Sequence, residues 1–427
     1  MTTFDKTAQE DTHRWPFFLP DGRHFLYLLR FTGGTAAGER NSIMLGSLDG
    51  TVSQRLLPAS SNAVCTSGHV LFAHEGTLMA RPFDTKRLEF TAHAVPVAKQ
   101  IQYDAAYSHA VFSTSTNGVL VYQTGSKAER TQLMWIGRDG TEIGTVGDRA
   151  IHFAPAISPD GKLAAVVIDD IPSAQADIWI IDLSRGSRTR FSFDSGNDVA
   201  PVWSQDGDYL IFASDRNGPF DLYRKSVEGL GGDELILQSD RDKYPTGWSP
   251  VGPYIIYDVR PATHGRATQT ASDIGMLTLH DERQPTLFLQ TSHAESYAVP
   301  SPDGRWIAYQ SNDSGRDEIF VTPFPEPGRK WQVSTDGGMQ PSWRKDGKEL
   351  FYISPDSKLM SAEVRPGEAS FETGQVTLLF DVTHRAGGIP YAAHPDGERF
   401  LVIQDVSSEA SSALTLVINW TADLNKK

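Results

Sequence analysis

The chain has 427 residues, enough for one large repeat fold or for two to three ordinary domains. It is 39% hydrophobic and 22% charged, a balance typical of soluble globular chains. Its 39 basic and 53 acidic residues leave a net charge of −14, which disfavours nucleic acid or an anionic membrane as partner, since both need a basic footprint.

From the amino terminus, Met1 to Arg14 is polar and lacks the apolar segment of a signal peptide. The first structured unit is LPDGRHFLYLL (Leu19 to Leu29), a tight turn ending in glycine and followed by an apolar run. Looser copies follow as CTSGHVLFAHE and TSTNGVLVYQT. Close copies then recur as SPDGKLAAVVI (Ser158 to Ile168), SQDGDYLIFAS (Ser204 to Ser214), SPVGPYIIYDV, SPDGRWIAYQS, RKDGKELFYIS and HPDGERFLVIQ. Their turn glycines are Gly22, Gly68, Gly118, Gly161, Gly207, Gly252, Gly304, Gly347 and Gly397, spaced 43 to 52 residues apart. That is the period of one four-stranded propeller blade.

The turn has a physical reading. Proline at the second position presets the φ of a type I turn, and the glycine accepts the left-handed conformation that follows. It therefore joins two antiparallel strands, and runs such as LAAVVI and YLIFAS suit a strand buried on both faces between neighbouring sheets. A third strand is expected at TLMARPF (Thr77 to Phe83), QLMWIGR (Gln132 to Arg138), DIWIIDL (Asp177 to Leu183), DLYRKSV (Asp221 to Val227) and EIFVTPF (Glu318 to Phe324). Short outer strands such as RTRFSF, KWQVST and VTLLF close the units. The expected fold is all-β: a single β-propeller over residues 1–427, with eight to nine blades of four antiparallel strands. The last unit ends in ALTLVINW (Ala413 to Trp420) and lacks a fourth strand, so the N-terminal strand at MTTF is expected to complete it and close the ring; residues 421–427 read as a polar tail.

The stretches RWPFFLPDGRHFLYL, SNAVCTSGHVLFAHEGTLMARPFD, DKYPTGWSP, GRKWQVSTDGG, WRKDGKELFYISPDSKLM and LTLVINWTADL carry a family resemblance. The chain resembles the TolB-type, WD-repeat-like bacterial propellers, and more closely the propeller that follows the membrane span of receptor-type bacterial serine/threonine kinases. The resemblance implies an extracytoplasmic sensor or an envelope scaffold, periplasmic if the chain is part of a longer protein of that kind. The catalytic domain and membrane helix of those kinases have no counterpart in the sequence.

Catalytic motifs are missing from the sequence. There is no G-x-G-x-x-G, V-A-x-K or D-F-G of a kinase, no G-x-S-x-G of a serine hydrolase and no H-E-x-x-H. Cys65 is the only cysteine, which excludes an internal disulfide and a thiolate cluster. His69 and His74 lie five apart on an expected strand and point to opposite faces. The loop Asn312 to Asp317 has the Asn, Asp and Gly content of a hairpin without the spacing of a calcium loop. No catalytic, cofactor or metal residue is therefore assigned.

Trp203, Trp248 and Trp343 recur just after a proline and before the turn, a placement that fits packing between blades. Asp198 and Asp242 each precede that proline by three residues, where they either cap the connecting loop or line the mouth of the ring. Two polar insertions, Arg30 to Asn41 and Arg260 to Ser272, interrupt the periodicity, and insertions on repeat scaffolds often carry binding. The candidate ligand-facing residues are thus Asp198, Asp242, Arg260, His264 and Arg266. The sequence points to a non-catalytic binding or sensing propeller, monomeric and without membrane insertion, cytoplasmic as the chain stands, with a protein or small-molecule ligand. The rival readings are a propeller hydrolase or lyase, and a propeller fragment of a larger kinase or peptidase.

Overall fold

A computed structural model of the chain describes residues 2, 10–31, 40–74, 76–104, 107–115, 117–124, 131–170, 175–229, 231–261, 272–279, 283–367, 370–382, 388–406 and 414–426. It is an all-β structure built of antiparallel sheets, most of them four-stranded. The chain divides into two compact units, unit 1 (1–129 with 407–427) and unit 2 (130–406). Thirteen basic and thirteen acidic residues lie in unit 1, so the whole net charge of −14 belongs to unit 2. Among the described residues, no helix is long and apolar enough to cross a membrane.

Each close repeat folds as its composition dictates. In the turn at Gly161, the Ser158 hydroxyl donates to Asp160 at 2.7 Å and accepts from the Leu163 amide at 3.0 Å. The Asp160 carboxylate also accepts from the Lys162 amide. These bonds, the Ser158 one foremost, hold Asp160 down at about 2. The same Ser–Asp clasp recurs at Ser204–Asp206, Ser301–Asp303 and Ser354–Asp356, which explains why a serine stands two residues before the aspartate. Gly161, Gly207 and Gly304 all have positive φ, as the turn requires.

The apolar runs are buried on both faces. In Tyr209–Ser214, Leu210 and Phe212 pack toward the Gly161 sheet, while Ile211 packs toward the Gly252 sheet. A side-chain period of two lets one strand serve both neighbours. Each such Leu, Ile or Phe contributes roughly 1.5–3 kcal/mol by leaving water. Six clusters of this kind join the six sheets of unit 2 in turn, and the sixth packs Leu401 and Ile403 of the last repeat against Ala164 and Val166 of the first. In unit 1, two clusters join three sheets, those of Gly22, Gly68 and Gly118.

The strand pairing departs from sequence order at two places. The last repeat was expected to take Ala413 to Trp420 as its third strand and to be completed from the amino terminus. Instead its second strand, Arg399–Asp405, pairs along its length with Thr131–Gly137, the segment assigned by its position to the Gly118 repeat. Leu414–Ile418 in turn pairs with Val119–Gln123 of that Gly118 repeat. The two repeats have exchanged third strands, so unit 2 is a chain segment inserted between the second and third strands of a unit 1 sheet. The expected completion of the Ala413 to Trp420 sheet by MTTF falls on residues that, Thr2 apart, lie outside the described residues; Glu10–Phe18 pairs with His24–Phe31. Glu142–Ile157 is long enough to serve as outer strand of the last repeat over its first half and as inner strand of the Gly161 repeat over its second. The expected polar tail is a 3-10 helix, Trp420–Lys426, whose Trp420 is buried in the unit 1 core.

Two predictions test this packing. Phe400 is fully buried, with ring contacts to Phe351, Phe380 and Tyr391. Phe400→Ala should cost about 3–5 kcal/mol in urea unfolding followed by tryptophan fluorescence. His152 is buried, and its Nδ1 lies 2.8 Å from the Thr131 hydroxyl. Burial first, and then the charge of Arg188, lowers its pKa from 6.5 to about 4. Its folded value is the lower one, so the stability it contributes is complete above about pH 6.5 and is lost as pH falls toward about 4. His152→Gln should remove a loss of roughly 3 kcal/mol across that window, read from unfolding midpoints at several pH values.

Candidate functional site

In unit 2 the turns at Gly161, Gly207, Gly252, Gly304, Gly347 and Gly397, which join first to second strands, lie at one end of their sheets, and the first strands begin at the other, where the Ser354–Asp356 turn between a second and a third strand also lies. This second end gathers the ionisable side chains. The third strands carry a buried acid at their start in three repeats and two residues in at Asp177 of a fourth, and each acid has a cationic partner. Asp177 pairs with Arg190 at 2.8 Å, Asp221 with Lys243 at 2.8 Å, Asp273 with Arg241 at 3.5 Å, and Glu318 with Arg316 at 2.8 Å. Lys243 is itself buried and also donates to Ser239 at 2.8 Å. Removing one member of such a pair leaves an uncompensated charge, worth about 3–5 kcal/mol.

The candidate residues fall at the same end. Asp198 opens a first strand with its carboxylate buried, 3.0 Å from Arg216. That guanidinium also reaches Asp194 at 2.5 Å and Asp233 at 2.8 Å, and lies 4.2 Å over the Tyr223 ring. Burial pushes the Asp198 carboxyl up against the pull of Ser214 and Arg216. Asp242 accepts from the Phe220 amide at 2.9 Å, the bond of a loop cap. Arg260 ends a second strand, its Nη2 3.1 Å from Asp258 and its guanidinium 5.2 Å from the Tyr244 ring centre. His264 and Arg266 lie outside the described residues. The structure thus brings Arg260 together with Asp258 and Tyr244, and commits Asp198 to the Arg216 network.

Sequence reasoning passed over Asp258. It is fully buried, accepts from the Tyr297 amide of the next sheet at 2.9 Å, and holds Arg260 with its other oxygen. Burial raises its pKa to about 6 against the opposing pull of Arg260. The only signal was a charge inside an otherwise apolar run, YIIYDV. Tyr297 explains its place. Inner strands carry a bulge with a left-handed residue, at Ala154, Ala200, Tyr297 and Gln340, with φ of 44°, 54°, 53° and 55°. At two of them the amide is met by the preceding sheet, Tyr297 by Asp258 and Gln340 by the Gln310 side chain at 3.3 Å.

Chemically, this end is a set of ion pairs around half-buried Tyr244, Tyr297 and Arg260, in which Asp198 Oδ2, Asp221 Oδ2 and Glu295 Oε2 are buried without a hydrogen-bond partner. The Arg260 Nε is buried and without a hydrogen-bond partner. Among the described residues, no three His, Cys, Asp or Glu side chains come together as a metal site would need.

Asp258 makes the site sensitive to pH. Its folded pKa of about 6 lies above the ordinary 3.8, so the folded state binds the proton more tightly and stability falls as pH rises from about 4 to about 6. Asp258→Asn should abolish that fall, worth roughly 3 kcal/mol, when unfolding midpoints are compared at the two ends of the window.

Comparison with known proteins places this geometry. Residues 141–285, within unit 2, match the family model PD40, the TolB beta propeller domain. The uncharacterized peptidase YuxL of Bacillus subtilis is 26% identical over 197 residues, which cover 38% of this chain and 30% of YuxL. The uncharacterized protein Atu1656 of Agrobacterium fabrum is 27% identical over 157 residues, 36% of this chain and 52% of that protein. The Tol-Pal system protein TolB of Francisella tularensis is 28% identical over 167 residues, 39% of this chain and 37% of TolB. The chain thus spans about half or less of the length of these curated relatives. A solved TolB structure from Agrobacterium tumefaciens covers 65% of this chain and 99% of its own, with a TM-score of 0.49 and 17% identity. The stretch 141–285 that carries the Asp258–Arg260 pair is, by sequence, similar to the TolB-type β-propeller.

Proposed function

We propose that the chain is a non-catalytic binding module, in which unit 2 acts as a closed six-bladed propeller. Its ligand-facing end is the one where the first strands begin, with Arg260, Tyr244 and Tyr297 presented to a protein segment or small ligand. Asp198 and Asp242 hold the loops of this end through Arg216 and the Phe220 amide. The observation that carries this reading is that the acids of this end are already bound to internal cations and amides, as Asp198, Asp221 and Asp258 are. A carboxylate held this way positions loops and has little freedom to shuttle protons. The likeness to the Tol-Pal system protein TolB supports an envelope setting. The resemblance to receptor-kinase propellers supports a signalling one.

A second reading rests on the likeness to the uncharacterized peptidase YuxL, of which the matched stretch covers 30%. One experiment separates the two. The double variant Asp258→Asn/Arg260→Gln replaces the ion pair by a neutral pair of similar shape and should keep the fold. Retention of a ligand from cell extract on immobilised protein should weaken at least about tenfold in this variant. Neither protein should hydrolyse peptide substrates, with or without divalent cations. Steady turnover by the wild type that the double variant loses would replace the binding reading with the enzymatic one.

A further inference from the structure

The Gly118 sheet of unit 1 ends on Leu414–Ile418, which pairs on one side with Val119–Gln123 and, among the described residues, has no strand on the other. The Gly22 and Gly68 sheets of the same unit continue to a fourth strand at this position, Ser53–Pro58 and Val95–Lys99. The bare edge also has an unusual composition. Other outer edge strands of three or more residues carry a charge or a proline, at Arg55, Lys99, Arg188, Glu234, Pro285 and Glu372, and Asp148 does so on the outer half of Glu142–Ile157. Such residues keep an edge from pairing with another chain. Leu414–Ile418 reads LTLVI and has neither. Its alternate side chains Leu414, Leu416 and Ile418 are 64%, 59% and 69% exposed, whereas Val417 packs on the unit 1 core.

We infer that this edge is a self-association surface, where Leu414–Ile418 of one copy pairs antiparallel with Leu414–Ile418 of a second. The strand is self-complementary about its centre. A two-fold places Leu416 opposite Leu416 of the second copy and Leu414 opposite Ile418, so that six exposed apolar side chains join on one face. No charge opposes the approach, because the strand has none and unit 1 is neutral overall, with thirteen basic and thirteen acidic residues. Any occupant of this edge must be an extended strand with apolar side chains at alternate positions, and a second copy supplies one of matching length. Five paired residues bury far less than the roughly 1,600 Å² of a standard interface, so the dimer is weak and appears with concentration. Such a dimer would differ from the monomer expected from the sequence.

The test uses the full 427-residue chain. Directly opposed strand residues approach to a Cα separation that a disulfide spans, so Leu416→Cys should cross-link to its own copy under mild oxidation at least about tenfold faster than Leu378→Cys, a comparably exposed leucine on an outer strand of unit 2. Cys65 is buried and stays out of the reaction. Sedimentation velocity from about 1 to about 500 µM should show the mass rising toward twice the monomer, and Leu416→Lys should hold it at the monomer without changing the melting temperature. A monomer at every concentration, or equal cross-linking of the two cysteine variants, overturns the inference. So does a dimer that Leu416→Lys leaves intact.

Discussion

The pairing of Thr131–Gly137 with Arg399–Asp405 is the contact on which unit 2 depends. A twisted sheet buried on both faces needs a neighbour on each, and a row of such sheets leaves its two end faces wet unless they meet. Here Leu133 and Trp135, from the start of the unit, share a cluster with Leu401 and Ile403 from its end, and with Ala164 and Val166 of the Gly161 sheet. Phe351, Phe380 and Phe400 wall the opposite face of the same last sheet. Taking away the 131–137 strand would unpair one edge and open both clusters at once. This pairing is also a long-range contact, costly in loop entropy, which makes the packing of these two clusters decisive for cooperativity.

The same arrangement accounts for the polar end of the sheets. Loops enter at this end, and apolar packing alone does not fix loops. Buried acids with cations drawn from an adjoining loop or sheet take over, as in Asp221 with Lys243. Asp258 does this twice, by holding Arg260 of its own strand and the Tyr297 amide of the next sheet. The amide needs the bond because Tyr297 sits in a bulge with a left-handed backbone, where the ladder leaves a donor free. A carboxylate that fills this role is at once a structural clamp and the group whose ionisation changes most on burial.

Much of the fold was legible in local sequence, and the reason is the turn. Ser158, Asp160 and Gly161 make bonds only to residues within five positions, so the motif carries its own explanation and recurs wherever it is needed. Which third strand joins which repeat was not legible. QLMWIG and LTLVI both offer alternating apolar residues, and either fits beside a buried second strand. Chain order favours the nearer one, yet the pairing found joins residues more than two hundred and fifty positions apart. Asp258 was hidden for a related cause: its partner amide lies in another sheet, and nothing near it in sequence marks the bulge at Tyr297. Trp203 and Trp343 were read as packing groups, and each donates its indole N–H to a carbonyl of the preceding sheet, at Ala156 and Val299.

The division of charge adds a constraint on partners that composition alone obscures. An excess of −14 spread over 427 residues is modest, but all of it falls on residues 130–406, where 40 acidic residues face 26 basic ones. Six of the buried acids, Asp177, Asp198, Asp221, Asp258, Asp273 and Glu318, are matched by cations, so most of the surplus lies on wetter acids and sets the long-range field of that unit. A field of this sign repels polyanions and draws cationic or neutral ligands, while Arg260 offers a local positive point within it. A ligand that satisfies both would carry its positive charge toward the rim and a hydrogen-bond acceptor toward Arg260. Unit 1, with no net charge, imposes no such preference, and there the composition of each exposed strand edge decides what can approach.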